Sequence, residues 1–134
     1  MKAYTDVEQS KALAKILPID TADCCYIEYC TSDNIELRYE GQPPMFLGDI
    51  PITEIEVEHI PCWSLAALLE QLDDEIIDEN GNDYNLTIVK ENLQYQLYYH
   101  DSWGQVEDIK TDYYDDLVDA CYEMIVLLHK ENLI

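Results

Sequence analysis

The sequence predicts an α+β fold, an antiparallel β-sheet meander with two to three helices packed on it, and three observations carry that expectation. Apolar residues recur at helical spacing in two stretches, Leu65, Leu68, Leu69 and Leu72, then Leu117, Cys121, Met124, Ile125 and Leu128. Between and before them, short runs alternate apolar and polar residues and are separated by Asn-, Asp- and Gly-containing turns. Hydrophobic residues make up 48% of the 134, with 11 Tyr and 2 Trp. That composition supports a packed core, and a single domain over residues 1–134 buries about two thirds of its unfolded surface.

Taken in chain order, Thr5 followed by Glu8 has the pattern of a capping box, and Val7, Leu13, Ile16 and Leu17 give a first helix its apolar side before Pro18 stops it. Residues 25–29 and 35–39 read as strands of a hairpin across Thr31, Ser32, Asp33 and Asn34. Gly and Pro at 41–44 and 48–51 bracket a loop. Residues 52–60 alternate cleanly, with Ile55, Val57 and His59 on one face and Glu54, Glu56 and Glu58 on the other. Pro61, Cys62, Trp63 and Ser64 are expected to open the second helix, since Pro suits a first turn. Asn80-Gly81 marks a hairpin turn before strands at 84–89 and 93–99. A turn at 101–104 leads to a strand over 105–110, and a last helix is expected over 112–132.

Charge limits the function. The chain has 29 Asp and Glu against 7 Lys and Arg, a formal net charge of -22, and one arginine, Arg38. Nucleic acid and anionic membrane attract proteins through Lys and Arg, so direct binding to either is excluded and the partners expected are cationic. The N-terminal residues lack the apolar stretch of a signal peptide and no apolar run is long enough to span a bilayer, so a cytoplasmic protein is expected. Five cysteines, an odd number, point to reduced thiols. Crowded carboxylates are expected to titrate above their ordinary range, because neighbouring negative charge favours the protonated form.

Catalytic and metal-binding patterns are sparse. Cys24, Cys25 and Cys30 lack the paired spacing of zinc ligands, and only His59 and Cys62 stand at a ligand-like separation. The acidic loop from Asp78 has Gly81 fourth and Val89 twelfth, where an EF-hand needs Gly sixth and Glu twelfth. No metal or other cofactor is therefore expected. Phosphate-cradling glycine loops and nucleophile elbows are absent from the sequence. The competing enzymatic reading is a small metal- or thiol-dependent enzyme or sensor built on Cys62. A helix N-terminus would activate its thiol, and His59 or His100 would act beside it.

Three acidic rows exceed what solubility asks for. Glu54, Glu56 and Glu58 place carboxylates about 6.8 Å apart on one strand face. Asp73, Asp74 and Glu75 follow the second helix, where negative charge opposes the helix dipole. Asp112, Asp115, Asp116 and Asp119 gather with Glu123 on one side of the expected last helix. Regularly placed carboxylates can imitate a phosphate backbone in the groove of a nucleic-acid-binding protein. The tyrosine pairs Tyr98-Tyr99 and Tyr113-Tyr114 add an aromatic handle, since neighbouring rings diverge and exposed Tyr is favoured at interfaces.

Pro61-Cys62-Trp63-Ser64-Leu65-Ala66-Ala67-Leu68-Leu69, the Tyr-rich meander after it and Val118-Asp119-Ala120-Cys121-Tyr122-Glu123-Met124-Ile125 resemble a group of short uncharacterised proteins from bacterial phage and mobile-element settings. Residues 10–18 are similar too, so the likeness covers most of the chain. That resemblance implies a small accessory protein and carries no catalytic residues with it. The function expected is a non-enzymatic acidic protein that binds a basic protein partner, with nucleic acid mimicry as one form of the role.

Overall fold

The computed structural model describes residues 1–27, 44–46 and 59–134. They form two compact units, Tyr4–Ala67 and Met1–Ala3 with Leu68–Ile134. The fold is α+β with antiparallel sheets, as the alternating segments predict. Of the strands expected at 25–29, 35–39 and 52–60, the described part is 25–27, 59 and 60; the rest lies outside the described residues.

The first unit opens with helix α1, Val7–Leu13. Its cap is Asp6 rather than Thr5. The Asp6 carboxylate accepts the Gln9 N–H at 2.8 Å and the Gln9 side chain accepts the Asp6 N–H at 3.1 Å, so the capping box sits one residue later than expected. Thr5 is unavailable because it is fully buried and bonded elsewhere. Its hydroxyl meets the Ser10 hydroxyl at 2.8 Å and accepts the Trp63 N–H at 3.1 Å, while its carbonyl accepts the Tyr26 hydroxyl at 2.7 Å.

A short 3-10 turn, Ile19–Thr21, leads into β1, Cys24–Ile27, which lies between β2, Met45–Phe46, and β3, His59–Cys62, in an antiparallel sheet. Cys24 faces Cys62 and Cys25 faces Pro61 in the β1–β3 register. Pro61 and Cys62 therefore belong to a strand, and the second helix, α2, spans only Leu65–Glu70. Ser64 starts it, its hydroxyl accepting the Ala67 N–H at 3.2 Å. Asp23 fixes Ser64 in turn, bonding both its N–H and its hydroxyl. Cys24, Tyr26 and Cys62 form a buried cluster against which Tyr4, Val7 and Ile60 pack, and α1 lies on β3.

The second unit is a meander of β4, Glu75–Ile77, β5, Asp83–Glu91, β6, Gln94–Asp101, and β7, Ile109–Lys110, with helix α3, Leu117–Lys130, on β6 and β7. Alternation along β6 buries Leu97, Tyr99 and Asp101 while Tyr98 is half-buried and His100 exposed. The β4–β5 turn carries Gly81 at φ +81°, and the Asp78 carboxylate holds it by accepting the N–H groups of Asn80 and Asn82 and the Asn82 side-chain amide. The β5–β6 turn has Asn92 at φ +52° and Leu93 at φ +64°, the type I′ signs. Leucine in that region is strained by roughly 1–2 kcal/mol, and its side chain is exposed. Leu93→Gly is expected to raise stability by about 1 kcal/mol in chemical denaturation; a destabilised variant would contradict this strain.

Helix α3 begins five residues later than the apolar period predicts. Residues 111–114 are instead bound alongside β6. Thr111 N–H donates to the Leu97 carbonyl at 2.9 Å, and Tyr95 and Tyr114 exchange backbone hydrogen bonds at 2.7 and 2.8 Å. Asp112 and Asp115 thus precede the helix. Its buried face is Val118, Ala120, Cys121, Met124, Ile125 and Leu128. Strand β7 is shorter than expected because the N–H groups of Gln105 and Val106 go to the Asp101 carboxylate at 2.8 and 3.2 Å.

Candidate functional site

The predicted acidic rows separate. Glu54, Glu56 and Glu58 lie outside the described residues. Asp73 and Asp74 are exposed beyond α2, and Glu75 begins β4. Their backbone is structural, the Asp73 carbonyl accepting the Tyr99 hydroxyl at 2.7 Å and the Asp74 carbonyl the Leu86 N–H at 2.9 Å. Asp112 and Asp115 are exposed. Asp116 instead accepts the Lys2 backbone N–H at 2.7 Å and Asp119 pairs with the Lys2 ammonium at 2.8 Å, so the expected row divides into an open pair and a pair that anchors the N-terminus.

The tyrosines divide likewise. Tyr99 is fully buried; burial, then the charges of Asp73 and Asp74, push its phenol well above the ordinary range. Tyr98 and Tyr114 are half-buried, and Tyr113 is exposed with its hydroxyl 3.3 Å from Glu91.

Cys62 stands in β3, three residues ahead of α2, so no helix N-terminus activates it. Its thiol hydrogen-bonds to Cys24, and that bond, followed by burial, raises its pKa far above that of a free thiol. A thiol held protonated is a poor nucleophile and a poor metal ligand. His100 belongs to the other unit, where its Nδ1 pairs with Asp108 at 2.7 Å. Among the described residues no group of three His, Cys, Asp or Glu is placed to hold a metal ion. None of the described helices is long and apolar enough to cross a membrane.

The second unit carries a concavity of about 550 Å³ that the sequence did not mark. Three segments supply its carboxylates: Asp78 and Glu79 from the β4–β5 turn, Glu107 and Asp108 from the β6–β7 loop, and Glu131 from the end of α3. Tyr84, Ile109, Leu127 and Leu133 give it apolar walls, and Lys110 is its one cation. The C-terminal end of α3 adds the negative pole of the helix dipole. Burial first, then Asp78, Asp101 and Glu131, raises the Tyr84 phenol, which keeps it a neutral donor. Such a concavity favours an ammonium or guanidinium group with an apolar stem. A shallower one, about 450 Å³, lies on the sheet among Asn85, Thr87, Gln96, Tyr98, His100, Asp108 and Lys110.

Carboxylate titration differs between sites. Glu75 follows the crowding expectation: a hydrogen bond to Asp83, then the charge of Asp83, raises its carboxyl above the ordinary range. Asp78 departs from it, because the Asn82 side chain and the turn's backbone N–H groups lower its pKa. At Asp101 burial raises the pKa, but the N–H groups of Trp103, Gln105 and Val106, with His100, outweigh burial and leave it lowered. A raised carboxyl contributes stability that is full below its unfolded pKa and is lost as pH rises through the folded pKa; Asp78 and Asp101 contribute in the opposite sense, losing stability as pH falls. Glu75→Gln supplies a permanent donor to Asp83, so its melting temperature is expected to exceed the wild type's at neutral pH and to converge with it in acid. An equal offset at both pH values would contradict the interaction between Glu75 and Asp83.

Comparison of the chain with protein-family models, with curated proteins and with solved structures found no match.

Proposed function

We propose that the chain is a non-enzymatic acidic protein that binds a basic protein partner, and that the acidic concavity of the second unit seats a lysine or arginine side chain of that partner. The observation that carries this reading is the convergence of five carboxylates from three separate segments around one concavity with apolar walls. Net charge of -22 supports it, since long-range attraction speeds association with cationic partners. A partner whose basic groove normally holds nucleic acid suits the same charge, which is the mimic form of the role. The resemblance to mobile-element proteins supplies the context of an accessory factor.

The test compares two variants of equal charge change. Glu79→Gln with Glu107→Gln and Glu131→Gln removes three of the concavity's five carboxylates; Asp73→Asn with Asp74→Asn and Asp112→Asn removes three exposed acids outside it. Titrated with a fluorescent Arg/Lys-rich peptide, the first is expected to lose about tenfold in affinity, from exposed pairs worth about 0.2–1 kcal/mol each. The second is expected to lose much less. Equal losses would show that charge acts only in bulk, and the opposite ranking would move the contact to the Asp73–Asp112 side chains.

A further inference from the structure

Trp103 is the largest side chain that the second unit leaves in water, 75% exposed on the turn after β6. A mobile loop would make that exposure unremarkable, but this turn is fixed from below. Asp101, fully buried, spends its carboxylate on the N–H groups of Trp103, Gln105 and Val106 at 3.2, 2.8 and 3.2 Å. Ser102 N–H donates to the Asp83 carbonyl at 2.9 Å, and the Asn85 amide reaches the Ser102 hydroxyl at 2.6 Å. Gly104, at φ +65°, completes the bend and donates to the Asp101 carbonyl at 3.1 Å. The indole is thus presented in water by an ordered backbone, and ordering an anchor before contact removes part of the entropy cost of binding.

We propose that Trp103 is a stacking platform for an arginine guanidinium of the basic partner, held ready by the Asp101 turn. This rests on the basic-partner reading above and names the residue class that the contact selects. Indole has the strongest attraction for cations among aromatic faces, and guanidinium stacks on it flat while its edge stays free for hydrogen bonds. Glu107 follows in the same loop and is exposed, so a carboxylate stands close in sequence to accept that edge. An ammonium makes no flat stack, so the platform distinguishes arginine from lysine.

The experiment uses two probes, an Arg-only and a Lys-only peptide of equal length and charge, titrated calorimetrically into the full chain and its Trp103→Ala and Trp103→Phe variants. Trp103→Ala is expected to weaken the Arg peptide by about threefold to tenfold and the Lys peptide by clearly less, with Trp103→Phe between. Unaltered melting temperatures will show that the exposed position has not disturbed the fold. Carboxylates alone can prefer guanidinium, so an Arg preference that survives Trp103→Ala overturns the platform while leaving the basic-partner reading intact. Failure of both peptides to bind the wild type at low salt overturns that reading and the platform with it.

Discussion

Trp63→Ala is expected to lower the unfolding free energy by about 3–5 kcal/mol, the largest loss among single substitutions in the first unit. Trp63 is fully buried and joins three parts of that unit at once. Its N–H donates to the Thr5 hydroxyl at 3.1 Å, its carbonyl accepts the Thr5 N–H at 2.9 Å, and its indole N–H donates to the Thr21 hydroxyl at 2.9 Å. Alanine keeps the backbone bonds and removes the ring, leaving a cavity and an unused acceptor. Trp63→Phe fills most of the space, so it should cost nearer about 1 kcal/mol for the lost hydrogen bond. Denaturant unfolding followed by circular dichroism checks both; an unchanged midpoint for Trp63→Ala would refute the core placement.

Leu68→Ala is expected to cost about 2–5 kcal/mol, because Leu68 is completely buried in α2 and the space it leaves collapses only in part. Ala66, on the exposed side of the same short helix, provides the control. Ala66→Ser changes helix propensity by a fraction of a kcal/mol and should leave the midpoint nearly unmoved. A Leu68→Ala variant as stable as the wild type would remove the apolar stripe from the account of this helix.

Periodicity revealed what is local. The spacing of Cys121, Met124, Ile125 and Leu128 located the buried face of α3, and Asn80-Gly81 located the β4–β5 turn, because both depend on residues within a turn or two of each other. What it misplaced was decided by distant partners. The α3 start moved because Thr111 and Tyr114 bond to β6, and the capping box moved because Trp63, 58 residues along, takes the Thr5 hydroxyl. Local pattern places Cys62 in a helix, because nothing near it in sequence shows that Cys24 lies opposite it. The Asn92-Leu93 turn lacks the glycine that announces type I′, so only the flanking alternation marked that hairpin.

The candidate site was the least legible part for the same reason. Runs of acids drew attention to Asp112, Asp115, Asp116 and Asp119, yet two of these are tied to Lys2. The carboxylates that converge, the adjacent pairs Asp78-Glu79 and Glu107-Asp108 with Glu131, lie far apart in sequence, and only folding brings their three segments together. In the sequence Trp103 is one residue of a turn; its exposure becomes informative only through the buried Asp101 that bonds its N–H.

The central claim, that this chain recognises a basic partner through charge, is tested most directly by the salt dependence of its affinity for the Arg/Lys-rich peptide. Between about 0.1 M and 1 M salt the Debye length shrinks from about 10 Å to about 3 Å. Affinity is predicted to fall steeply and continuously over that range, with a shallower slope once Glu79, Glu107 and Glu131 are neutralised. Affinity that holds unchanged to about 1 M would contradict the account, placing the contact on apolar surface that salt does not screen.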